Sequence, residues 1–356
     1  MRLGCFVLRP PSAEEALRRF ELAEQIGFDA AFATHVNGAE ATVMLGAATA
    51  RTSRIELGVG VIPIYTRTPA TMAQAAATLW DLSGGRVTLG LGLGHRAVMK
   101  RWHGEEIERP AAEMREYLSI MRGILDGEPL PEAEKWASDM PLVELRAERV
   151  PLMIGALSPA MLRLAGEMAQ GVVLWMCTPR YIAETVVPNV REGRRRAGLS
   201  MEGFDIVASI PTAVCEDAEP LRRDYVKQVA NNLRLQFYRA MLERGGYREE
   251  LAAIEEVDRY EGLFERIPGP ALDALAGGRF VSDVAAIGSP DAVAAKLGDY
   301  AAAGVTVAGV NPVRIDDFEA TLRATMAARG SIERTLGELG KIGPADREAD
   351  RREERG

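Results

Sequence analysis

Histidine and cysteine are both scarce in this chain, three of each among 356 residues, and each shortage removes a class of chemistry. Cys5, Cys177 and Cys215 lie far apart, so neither a disulfide framework nor a CxxC metal pair can be drawn, and a reducing, cytoplasmic setting is expected. His35, His95 and His103 form no HExxH, and no GxSxG occurs, which removes zincin-type hydrolysis and the serine nucleophile elbow. A basic excess is also missing. The net charge of −8 argues against nucleic acid as a partner. No apolar run approaches the length of a membrane span, and the opening "MRLGCFVLRPPS" is too short in apolar residues for a signal peptide, so no membrane partner is expected.

What is present is alternation. Short apolar runs at 3–8, 28–33, 54–62, 86–93, 150–156, 171–176, 204–216 and 304–312 read as strands, and nearly every one is followed by an amphipathic helical pattern. Strands that are apolar throughout and joined by helices predict a parallel sheet covered by helices. Eight such units predict an α/β fold, a single (β/α)8 TIM-type barrel. A doubly wound open sheet competes, but no GxGxxG follows the first strand. Residues 217–303 carry helical patterns without a clear strand and read as a helical insertion before the last strand. The barrel domain is expected over 1–338, and the charged tail 339–356 is expected to be disordered.

The stretch "VTLGLGLGHR" (87–96) is unusual for a strand, because Gly90, Gly92 and Gly94 alternate and so share one face. Two explanations stand: the bare face admits a broad, flat ligand, or it makes room for large side chains in the barrel interior. The site of such a barrel lies at the C-terminal strand ends, where Thr34, His35 and His95 fall. "GALSPAMLRLAG" sets Ser158 and Pro159 at a helix start, which serves as a cap or as an anion site. "TRTPATMAQAAATLWDLSGGR" predicts a helix capped by Thr68, begun by Pro69 and ended by Gly84-Gly85, with Asp81 and Arg86 pairing across the turn. Tyr65, Trp102, Trp175 and Met176 are candidates for the walls of a substrate pocket, against the alternative that each packs in the core.

The blocks 54–96, 156–175 and 287–312, in this order, resemble the bacterial luciferase-like superfamily of flavin and deazaflavin oxidoreductases, most of all its coenzyme F-420-dependent branch. The resemblance implies a barrel with a long insertion before the last strand, a tricyclic ring across the strand mouths and a non-prolyl cis peptide after strand three, here Gly60-Val61. It maps an acid-histidine pair to Thr34-His35, with Thr34 in place of the acid. It maps a glycine-rich passage for the coenzyme to Gly92 and Gly94, beside His95, and a phosphate-binding helix start to Ala156, Leu157, Ser158 and Pro159. The basic loop holding Arg96, Lys100 and Arg101 is expected to meet the coenzyme's oligoglutamate tail by charge. The implied activity is F-420-dependent hydride transfer between the deazaflavin C5 and a small organic substrate, with His35 as proton carrier or anchor. FMN-dependent monooxygenation and non-catalytic flavin binding are the alternatives. A homodimer is the family expectation, and no metal is expected.

Overall fold

The computed structural model describes residues 1–143, 145, 150–257, 269–332, 334 and 337. Eight parallel strands close into a barrel: β1 (Arg2–Val7), β2 (Ala30–Ala33), β3 (Glu56–Pro63), β4 (Val87–Gly92), β5 (Leu152–Gly155), β6 (Gly171–Trp175), β7 (Asp205–Val214) and, after the short β8 (Ala286–Gly288), β9 (Val307–Pro312). Each pairs with the next through β7; β9 then bridges β7 and β1 and completes the circle. The eight apolar runs of the sequence are these eight strands. β8 was not legible as a strand; it lies outside the barrel and pairs only with Thr212–Val214 at the far end of β7. The sequence beyond residue 338, expected to be a disordered tail, lies outside the described residues.

Both faces of every strand are buried, which is why the runs are apolar throughout rather than alternating. The outer face meets the helices in one large core. The inner face carries a second cluster of Phe6, Phe32, Met153, Val173, Val207 and Val307. Phe6 and Phe32 stack with centroids 5.1 Å apart. Glycines on neighbouring strands make room for these rings: a Cβ on Gly58 would lie 2.5 Å from Phe32 Cδ1, and one on Gly309 2.3 Å from Phe6 Cε2. Below them Arg2 binds both Glu56 and Asp205 at 2.5 Å and closes the N-terminal end of the barrel with paired charge.

The helix Pro69–Ser83 begins and ends as its sequence predicts: Thr68 Oγ1 accepts from the Thr71 amide, and Gly84 ends it at φ 62°. Arg86 departs from expectation. Its guanidinium donates to the carbonyls of Thr49, Thr52 and Ile55 rather than to Asp81, since the last turn of the helix Ala41–Arg51 and the link after it leave those carbonyls to satisfy. Among the described residues no helix is long and apolar enough to cross a membrane.

The alternating glycines of β4 meet β3. The register between β3 and β4 slips between Val59 and Ile62, and the extra residue throws Val61 inward. A Cβ on Gly90 would lie 2.1 Å from the Val59 carbonyl oxygen, and one on Gly92 2.4 Å from Val61 Cγ2; Gly155 of β5 faces both Val61 methyls at 3.2 Å. Backbone cannot yield as a flexible side chain does. Gly90→Ala is therefore expected to destabilise by about 3 kcal/mol, the upper part of the usual overpacking range. Gly38→Ala, whose Cβ would meet nothing within 4 Å, is expected to stay within about 0.5 kcal/mol. Urea midpoints of the two variants test the contrast.

Candidate active site

Continuing the inward alternation to the C-terminal strand ends brings Leu8, Thr34, Val61, Gly92, Gly155, Trp175, Ser209 and Asn311 around one mouth. Asn311 Nδ2 donates to Ser209 Oγ at 3.1 Å. The Gly60-Val61 peptide is cis. Val61 is only half-buried and forms the raised floor on the β3 side, seated on the glycines of β4 and β5.

His35 stands at the rim after β2, with little of its side chain exposed. Its Nδ1 accepts from the Ala41 amide at 3.4 Å and lies 3.4 Å from Glu40 Oε1. The same carboxylate oxygen binds Arg67 Nη2 at 2.8 Å. Burial lowers the imidazole pKa; Arg67 and His103 push the same way, and Glu40 opposes them. The ring is thus held neutral near pH 7. Glu40 is also the N-cap of the helix Ala41–Arg51, taking the amides of Thr42 and Val43 and the Thr42 hydroxyl. Partial burial alone would raise its carboxyl. The hydrogen bonds from Thr42 and Val43, with Arg67 behind them, outweigh it and bring the pKa down to about 2.

Across the mouth, His95 follows β4 with its ring 5.9 Å from Tyr238, and Tyr238 stands edge-on to Trp175 at 5.7 Å. Burial lowers the His95 pKa. Tyr238 belongs to Gln236–Gly245, a helix of the insertion, which thereby reaches over the ends of β4 and β6. Gly94 takes φ 69°, and a Cβ there would lie 2.8 Å from Met99 Cε. At the end of β5, Gly155 and Ala156 lead through Leu157 to Ser158, which caps Pro159–Met168 by accepting from the Met161 amide. The Ala160 amide, in the first turn, has no intrahelical acceptor.

Of the four pocket candidates, Trp175 faces the mouth. Tyr65 is buried outside the barrel, where its hydroxyl donates to Glu113 and Lys135 Nζ sits 4.8 Å above its ring. Met176 is fully buried in the outer core at φ 60°. Trp102 is 39% exposed, on the segment after β4. In the basic loop, Arg96 donates to the Ile107 carbonyl and Lys100 pairs with Glu106 at 2.7 Å. Sequence reading missed Glu40, Arg67 and Tyr238. Glu40 gave no signal because glutamate is not among the favoured N-cap residues.

A family model of luciferase-like monooxygenases matches residues 1–307. The chain belongs to the luciferase-like monooxygenase family. One relative in this family is a 5,10-methylenetetrahydromethanopterin reductase of Archaeoglobus fulgidus, 30% identical over 294 residues that cover 80% of this chain and 86% of the relative. Among solved structures, the coenzyme F-420-dependent tetrahydromethanopterin reductase from Methanopyrus kandleri superimposes with a TM-score of 0.76 at 28% identity, covering 91% of this chain and 97% of the other. An F-420-dependent secondary alcohol dehydrogenase, in complex with an F-420–acetone adduct, shares the fold with a TM-score of 0.73 at 17% identity, covering 92% and 98%.

The depressed Glu40 carboxyl ties local stability to acid. A carboxyl lowered in the folded state stabilises it above the unfolded pKa and loses that contribution as pH falls through the folded value. Folding stability is expected to fall between about pH 4.5 and about pH 2 in a way that Glu40→Gln partly removes. Denaturant titrations across that window check it.

Proposed function

We propose that this protein is an F-420-dependent oxidoreductase that moves a hydride between the deazaflavin C5 and a small organic substrate. The observation that carries the reading is the convergence on one barrel mouth of three features: the raised Val61 floor, the neutral rim imidazole of His35, and the capped helix start at Ser158-Pro159. The coenzyme F-420-dependent reductase from Methanopyrus kandleri, similar along most of its length, supports the coenzyme. The coenzyme, when bound, supplies the hydride donor or acceptor. Everything else falls to the chain.

The half-buried Val61 offers an apolar surface for one face of a flat ring, and its seat on Gly90, Gly92 and Gly155 keeps it from sinking under that load. Leu157, Ser158 and Ala160 can present amides to the coenzyme phosphate at the positive end of the Pro159–Met168 helix. His95 and Trp175, braced by Tyr238, wall the β4 and β6 side and restrict water. His35 manages the proton. Its Nδ1 is engaged with the Ala41 amide, which leaves Nε2 as the atom that donates to or accepts from the reacting pair. We further propose that residues 1–338 work as one barrel domain.

FMN in the same mouth, with oxygen chemistry, is the second reading, favoured by the monooxygenase family to which the chain belongs. A fluorescence titration separates them: F-420 is expected to bind at least tenfold more tightly than FMN, and stoichiometric FMN in the purified protein overturns the proposal. His35→Ala is expected to leave F-420 affinity within severalfold and to cut turnover by about a hundredfold or more. Stopped-flow reduction at saturating coenzyme measures the second effect.

A further inference from the structure

His35 Nδ1 faces a hydrogen-bond donor and an acceptor at the same distance, and that symmetry has a chemical meaning. The Ala41 amide donates to Nδ1 at 3.4 Å and so favours the tautomer with its proton on Nε2. Glu40 Oε1, also 3.4 Å away, favours a proton on Nδ1 instead. Both partners come from one rigid feature, the first residues of the helix Ala41–Arg51, whose cap is the Glu40 carboxylate itself. Among the described residues nothing hydrogen-bonds Nε2. We infer that Glu40 is a positioning residue that, with the Ala41 amide, poises His35 between its two neutral tautomers, so that Nε2 can either give or take a proton. Its use in turnover rests on the F-420 reading above; the tautomer balance itself does not.

The charges around the ring sharpen the balance. Arg67, just after β3, holds Glu40 Oε1 at 2.8 Å and disfavours a charged imidazole, as does His103 from the segment Met99–His103. Glu40 favours the charged form. A carboxylate shared with Arg67 pulls on Nδ1 less than a free one, which keeps the two tautomers close in energy. Thr34, where the family pattern has an acid, supplies no charge. The carboxylate beside the imidazole is instead that of Glu40, from the cap of the next helix.

The test is made on the protein without coenzyme. Nitrogen-15 NMR of labelled histidine reads the tautomer directly: the wild-type His35 nitrogens are expected at shifts intermediate between protonated and unprotonated values. Glu40→Ser keeps a preferred N-cap residue but cannot reach the ring. It is expected to drive His35 to the Nε2-protonated tautomer and to move its titration to lower pH. Arg67→Met is expected to move that titration the opposite way. If Glu40→Ser does not fold, Glu40→Asp, which keeps cap and charge but shortens the reach, carries the same measurement.

With F-420 and substrate, Glu40→Ser is expected to lower kcat about tenfold or more while the coenzyme KM stays within twofold. A single tautomer in the wild type, unchanged by Glu40→Ser, or titrations shifting the same way in both variants, overturns the inference. Intermediate shifts with no F-420 binding would refute the functional reading alone.

Discussion

Val61 has to be held up, and much of the barrel is arranged to do it. One extra residue in β3 turns a valine into the barrel, and the strands beside it give way by having no side chains there. Gly90 meets the β3 backbone, Gly92 and Gly155 meet the valine methyls, and Gly60 packs against Phe6 and Val173. None of these glycines can gain a methyl without moving a neighbour. The packing beneath, with Phe6 stacked on Phe32 and the Arg2 ion pairs at the base, fills the interior up to the level on which the mouth rests. A floor that cannot sink gives a flat ligand one defined height, and rim residues such as His35 can then be placed against it by short, stiff local elements.

The fold was legible because a closed parallel barrel writes itself into sequence plainly: strands buried on two faces, helices between them, eight times over. What escaped was local. β8 is three residues at the end of β7, too short for periodicity to register. Arg86 answers carbonyls of residues 49–55, more than thirty positions earlier in the chain, which no reading of its own neighbourhood can foresee.

The placement of the candidate site was legible at the strand ends and much less so elsewhere. Thr34, His35, the glycines and the Ser158 helix start stand where a barrel puts its chemistry, and the resemblance named the same positions. Tyr65 and Met176 show why aromatic or bulky residues near those ends are weak evidence: one strand-end step turns a side chain from the mouth to the outer core. Tyr238 lies some sixty residues beyond the strand it shelters, so only the folded chain brings it to His95 and Trp175. Glu40 was hidden by doing two jobs, a helix cap with an unfavoured residue and a partner to an imidazole.

The position of β9 has a consequence for how the molecule comes into being. It lies between β1 and β7, so the circle closes only when residues 307–312 have been made. Until then a growing chain carries two open sheet edges, β1 at the start and β7 before the insertion, each with a row of unpaired amides and carbonyls able to recruit a strand from another molecule. During synthesis, the helices that follow β7 arrive before its permanent neighbour does. A chain stopped short of β9 would be adhesive along both seams, so the same late strand that completes the barrel mouth also covers both open edges.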